Sequence, residues 1–200
     1  MEKQVLVDYI PFEVTPQQIN ESLATNGKLI VSGVLQRANA KNQNGRVYPK
    51  DTLVREAKKY AEVQVKERRA LGELDHPDSS VVNLNNVSHN VLDMNWKGDD
   101  LVGTVEVLST PSGNILKELF KSGIKLGISS RGLGSVEEIH EADGENTVQV
   151  QPDFELIAFD FVSNPSTHGA FLSPLKEGVD KNIKPISKVE TIINDILRGE

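Results

Sequence analysis

Phe154-Glu155-Leu156-Ile157-Ala158-Phe159-Asp160-Phe161-Val162 reads as a β-strand, and it decides how the rest of the chain is read. Strand alternation puts Asp160 on the face shared by Phe154, Leu156, Ala158 and Val162. A carboxylate inside such an apolar run costs several kcal/mol to bury, on the order of the desolvation of a single ion, unless a partner compensates it. Arg131 is one candidate partner; a histidine that Asp160 orients is another.

Working outward, Lys28 to Leu35, Ile124 to Ser129 and Thr147 to Gln151 are further strand candidates. Val87 to Trp96 and Leu101 to Leu108 flank Lys97-Gly98-Asp99-Asp100, which has the composition of a hairpin turn. Two segments switch to helical period. Leu53, Val54, Ala57, Tyr60, Ala61 and Val65 recur on one face after Asp51. Ile115, Leu116, Leu119 and Phe120 follow Thr110 as N-cap and Pro111 at the first helical position, with Gly123 as the stop. The expected class is α+β, mostly β, with flanking helices.

The ends differ from this body. Residues 1–28 carry Pro11, Pro16 and Gly27 with little periodicity beyond Val5-Leu6-Val7, and are expected to be a weakly structured arm. The body spans 29–172. Residues 173–185 hold two Pro and one Gly with few apolar anchors, which is linker chemistry. Residues 186–200 open on the capping-box pattern Ser187-Lys188-Val189-Glu190 and place Val189, Ile192, Ile193, Ile196 and Leu197 on one face of an amphipathic helix.

Composition narrows function. In 200 residues, Lys and Arg total 22 against 29 Asp and Glu, a formal charge of −7, which disfavours a grip on phosphate backbone. There is no cysteine, hence no disulfide, thiolate nucleophile or Cys-ligated metal. No apolar run approaches a membrane span and the N-terminus lacks a signal-peptide core, so an intracellular, soluble protein is expected.

Two segments besides the Asp160 strand carry candidate chemistry. In Leu71-Gly72-Glu73-Leu74-Asp75-His76-Pro77-Asp78, the His-Pro step restricts the backbone and presents His76 as a candidate base; a turn histidine without a role is the alternative. In Gly127-Ile128-Ser129-Ser130-Arg131-Gly132-Leu133-Gly134, serines bracketed by glycines could set a hydroxyl beside exposed backbone N–H groups, as acyl transfer needs; a Gly-rich turn is the alternative. Asp75, His76, Asp78 and His89 are of metal-ligating type and form the alternative use of these residues, but they match no recognised ligand motif, and no cofactor is expected. His, Ser and Asp fall in an order that matches none of the familiar triad folds.

Ala70 to Pro77 and Leu126 to Ser135 strongly resemble the prohead core proteases of T-even-type tailed bacteriophages, and Asn42 to Pro49 and Asn95 to Asp100 fit the same family in the same order. The resemblance runs from about Gly33 to Ser166 and leaves the arm and tail uncovered. It implies a small barrel of about seven strands, distantly like herpesvirus assemblins, and a serine endopeptidase working inside the immature capsid in the host cytoplasm. Its substrates would be scaffold and core proteins, the major capsid protein and itself, with self-association and no nucleic-acid or membrane partner. The family nucleophile falls on Ser129 and the base on His76. Asp160 is taken as the third member on burial grounds, with His89 competing; backbone N–H groups of Ser130 to Gly132, with Arg131, would hold the oxyanion. Cleavage after Glu in apolar-x-Glu before Ala or Gly is implied too, which marks Glu141-Ala142 and Glu177-Gly178 as self-cleavage sites. A capsid-assembly scaffold component with an inactive protease-like body is the alternative.

Overall fold

The computed structural model describes residues 2–75, 77, 79–140 and 146–163, all within one compact unit, Met1–His168. His76, Asp78, Glu141, Ala142, Glu177, Gly178 and the linker and helix expected over 173–200 lie outside the described residues.

Ten strands and three α-helices are described. The strands are β1 Gln4–Phe12, β2 Leu29–Arg37, β3 Arg46–Val47, β4 Leu71–Glu73, β5 Val87–Lys97, β6 Asp100–Val107, β7 Leu126–Gly134, β8 Val136–His140, β9 Asn146–Val150 and β10 Glu155–Val162. The helices are α1 Pro16–Asn26, α2 Lys50–Tyr60, which runs on into a π-helical stretch at Ala61–Val65, and α3 Pro111–Lys121. The strands form three sheets, ordered β1-β7-β10, β2-β6-β5-β4 and β3-β9-β8. No closed barrel is found among the described residues, which corrects the expectation of one barrel of about seven strands. The first two sheets are joined where β4 ends: Leu74 bridges to Phe161, and the Asp75 N–H donates to the Phe161 carbonyl at 2.7 Å.

Residues 1–28 are not the weakly structured arm expected of them. β1 pairs antiparallel with β7 along nine residues, with Tyr9 opposite Ser129 and Asp8 opposite Ser130. Its pattern hides from a sequence reading because a charge sits on its buried side. The Asp8 carboxylate takes both its ionic and hydrogen-bond partners from the loop 36 or more residues on: Arg46 Nη1 at 3.0 Å, Asn44 Nδ2 at 2.8 Å, and the Tyr48 hydroxyl. α1 is built by a capping box. Thr15 Oγ1 accepts from the Gln18 N–H at 3.2 Å, Gln18 Oε1 accepts from the Thr15 N–H at 2.8 Å, and Pro16 follows the cap.

The β5–β6 hairpin and α3 form as the residues dictate. Gly98, at φ +59°, takes the left-handed turn position, and Thr110 Oγ1 accepts from the Gly113 N–H at 3.0 Å to start α3. The main core lies between the first two sheets and under the helices. Phe161 is its hub, edge-on to Phe12 at 5.1 Å and to Phe120 at 5.3 Å between centroids. A second cluster joins Leu6, Tyr48, Leu53, Val150 and Phe154.

β10 departs from strict alternation. Leu156 stands opposite Gly132 but Ala158 opposite Arg131, so Ile157 is a bulge. Directly opposed residues share a face, so Asp160 and Ala158 lie on the Arg131 side while Leu156 lies on the other. The shared face expected for Phe154, Leu156 and Asp160 is therefore split. Phe154 packs with Tyr48, ring centroids 5.2 Å apart, in the second cluster.

Candidate active site

β7 is the middle strand of its sheet, and both of its faces are used. Ile128 and Ser130 face the core side; Ser129 and Arg131, between them, face the other side with Asp160, which stands opposite Ser129 on β10. The stretch that could have been a Gly-rich turn is continuous strand through Gly134.

The two serines have opposite surroundings. Ser130 Oγ accepts from Gln36 Nε2 at 2.7 Å and donates to the Asp8 carbonyl at 3.5 Å, and is a settled core hydroxyl. Gln36 turns inward because β2 carries a register shift between Val34 and Gln36. Ser129 is fully buried, and its Oγ has no hydrogen-bond partner among the described residues. An unpaired buried hydroxyl costs about 1–3 kcal/mol, so its retention calls for a role other than packing.

Asp160 finds the partner that the sequence left open, and it is Arg131. Arg131 Nε donates to Asp160 Oδ2 at 2.8 Å and Nη2 to Oδ1 at 3.1 Å, with both side chains out of solvent. The Glu73 N–H adds a bond to Oδ1 at 2.9 Å. Burial, with the Glu73 carboxylate beside it, pushes the Asp160 carboxyl up to about 6 against the pull of Arg131. Asp160 Oδ2 has one donor among the described residues, and a carboxylate oxygen can take two.

Sequence reasoning missed Glu73 as a member of this cluster. Its Oε1 accepts from Arg131 Nη2 at 2.9 Å and from the Asn83 N–H at 2.9 Å, at zero exposure. The available signal was Gly72: a Cβ there would collide with the Phe159 carbonyl and the His89 ring, so the strand bearing Glu73 must press directly on β10. Arg131, expected to help hold an oxyanion, has all five N–H groups engaged, the last two donating to the carbonyls of Ser79 at 2.7 Å and Val81 at 3.4 Å.

His89, the competing third member, is not brought to this cluster. Its Nδ1 pairs with Ser88 Oγ at 2.8 Å, its Nε2 with the Phe159 carbonyl at 2.9 Å, and its ring stands edge-on to Phe161. No ring nitrogen is left for a base or a metal, and no metal-binding group of three is found among the described residues. Burial lowers its pKa from 6.5 to about 4. The folded state thus resists protonation, and the stability this gives is present above pH 6.5 and lost as pH falls towards 4. His89→Phe keeps the ring contact and removes the titration. The stability advantage of the parent over this variant, from urea unfolding, should shrink by on the order of 3 kcal/mol between pH 7 and pH 4.

Comparison with known proteins gives a consistent picture. The model of the prohead core protein serine protease family matches residues 3–182, so the match takes in β1 and α1, which the resemblance read from motifs leaves out. The prohead core protein protease of Enterobacteria phage T4 is 32% identical over 172 residues, 84% of this chain and 78% of that protein. The solved structure of the bacteriophage T4 capsid assembly protease, gp21, superposes with a TM-score of 0.72 at 30% identity, covering 82% of this chain and all of the other. No helix among the described residues is long and apolar enough to cross a membrane.

Proposed function

The chain belongs to the prohead core protein serine protease family, and from that premise we propose that Ser129 is the nucleophile of an endopeptidase that trims core, scaffold and capsid precursors inside the prohead. The observation that carries this is the buried Ser129 hydroxyl, left without a partner beside a fully satisfied Ser130. His76 is the base. Asp75 and Ser79, on either side of it in sequence, are bonded to Phe161, which is next to Asp160, and to Arg131, which is two residues from Ser129. His76 takes the Ser129 proton, Ser129 attacks the scissile carbonyl, and Asp160 holds the resulting imidazolium through the open position on Oδ2. The Arg131 donors are committed and β7 is paired on both sides, so backbone N–H groups around Ser130 to Gly132 can take the oxyanion only once that pairing opens.

Full burial of Ser129 supports a restrained form that must open before substrate enters. Cleavage follows Glu in apolar-x-Glu before Ala or Gly, on other core proteins and on this chain. Ile139 and His140 of β8 pair with Thr147 and Asn146 of β9, and Glu141-Ala142 lies between them in the sequence. Glu177-Gly178 precedes the amphipathic segment, and its cleavage releases that segment while leaving the body whole.

Intact mass followed over time on active protein, beside Ser129→Ala, tests the order of events. Loss of 178–200 should come first and cleavage after Glu141 later, with neither in Ser129→Ala. Full-length mass persisting while a peptide substrate is cut would dismiss self-cleavage.

A further inference from the structure

We propose that Arg131 and Glu73 are positioning residues for this reaction, fastening both stems of the segment that carries His76 to the strand that carries Ser129. This rests on the reading above, in which those two residues react together.

The segment leaves β4 at Leu74 and rejoins the sheet at β5. Its neck is closed where the Leu74 N–H donates to the Asn86 carbonyl at 3.0 Å. Inside that neck the ties converge on two buried side chains. Glu73 Oε1 takes the Asn83 N–H from the returning stem and Arg131 Nη2 from β7. Arg131 Nη1 donates to the carbonyls of Ser79 and Val81. The remaining two donors go to Asp160. One planar guanidinium thus spans β7, β10, β4 and the segment, at zero solvent exposure, two residues from the nucleophile. A lysine has three donors on one atom and cannot make these five divergent bonds.

The arrangement is costly as a packing device. Two carboxylates share one cation in a dry site, and Glu73 Oε2 is buried with no partner among the described residues. Replacement of such a cluster by apolar side chains is often neutral for stability, so its presence two residues from Ser129 points to the geometry it imposes. Among the described residues, the polar groups around Asp160 are Ser129 and Arg131 from β7 and Glu73 from β4; Tyr60 of α2 packs its ring on Phe159, and burial and the Asp160 charge raise its hydroxyl well above its ordinary pKa. His89 of β5 stands behind β10 on the Phe159 carbonyl. Among these, the Glu73 charge is the one that opposes ionisation of Asp160.

Glu73→Gln is the discriminating variant, because the amide oxygen can still accept from Arg131 and Asn83 while the charge is gone. Loosening the fastening by a fraction of an ångström should lower kcat about tenfold to a hundredfold with KM within about twofold. The fluorophosphonate labelling rate of Ser129 should fall by the same factor, since that small probe needs the base but no substrate contacts. The acid limb of the kcat profile should move to lower pH, as Asp160 ionises more easily without Glu73. Arg131→Lys should reproduce the loss in kcat and labelling. A folded Glu73→Gln protein with parental kcat, labelling rate and acid limb overturns the proposal, and so does a change confined to KM. If Ser129→Ala cleaves as fast as the parent, the underlying assignment of the nucleophile has failed instead.

Discussion

Ser129→Ala should abolish peptide cleavage, on the order of 10⁶-fold in kcat, without loss of stability. Ordinary serine deletions in a core destabilise because they strand a partner. Here the Oγ has none among the described residues, so removing it relieves a desolvation penalty of about 1–3 kcal/mol rather than creating one. The melting temperature should stay level or rise by a few degrees. Ser130→Ala should do the reverse. It strands the Gln36 amide that donates to Ser130 Oγ, costs about 1–3 kcal/mol, and leaves cleavage within about tenfold of the parent. Adjacent residues with opposite responses in activity and stability would follow from the two faces of β7. A dead Ser130→Ala beside an active Ser129→Ala would move the nucleophile to the other face.

Asp160→Asn should lower kcat by about 10⁴-fold if the carboxylate orients and stabilises the imidazolium, the size seen when a triad acid is made neutral. Asp75→Asn should be far milder, since Asp75 is exposed. The stability consequence is separate. An amide can keep one oxygen for the Glu73 N–H, but its NH₂ edge would meet the Arg131 Nε–H, donor against donor. The variant should be less stable by about 2–4 kcal/mol, somewhat below the loss of a whole buried ion partner because Glu73 still pairs with Arg131. The pH dependence has a definite sign. With the folded carboxyl raised from 3.8 to about 6, the folded state keeps a proton that the unfolded chain releases first. Stability from this group therefore falls as pH rises from about 4 to 6, and the deficit of Asp160→Asn should be larger at pH 4 than at pH 7. An Asp160→Asn protein with parental kcat would take Asp160 out of the reaction.

What could be read from the residues alone was local. Thr110-Pro111 with Gly123, and Gly98 between two alternating runs, specify α3 and the β5–β6 hairpin through bonds spanning a few residues. The same kind of signal, Thr15-Pro16 with Gln18, also specifies α1, and the Pro and Gly content of the region masked it. What stayed hidden depends on partners far along the chain. Asp8 is a charge on the buried side of β1 until Arg46, Asn44 and Tyr48 are known to meet it. The bulge at Ile157 is set by pairing with β7, and it moves Phe154 and Leu156 off the face assigned to them. Glu73 looked like one polar residue of a loop because its partners Arg131 and Asn83 lie 58 and 10 residues away. Arg131 was legible as the partner of Asp160, though its further bonds to the His76 segment were not.

Labelling of the active protein with a fluorophosphonate, followed by mass mapping of the modified peptide, shows directly whether Ser129 carries the reacting hydroxyl. A single adduct on Ser129, absent from both Ser129→Ala and His76→Ala, is the predicted result. An adduct on Ser130, or equal labelling of the protein with and without His76, would contradict it.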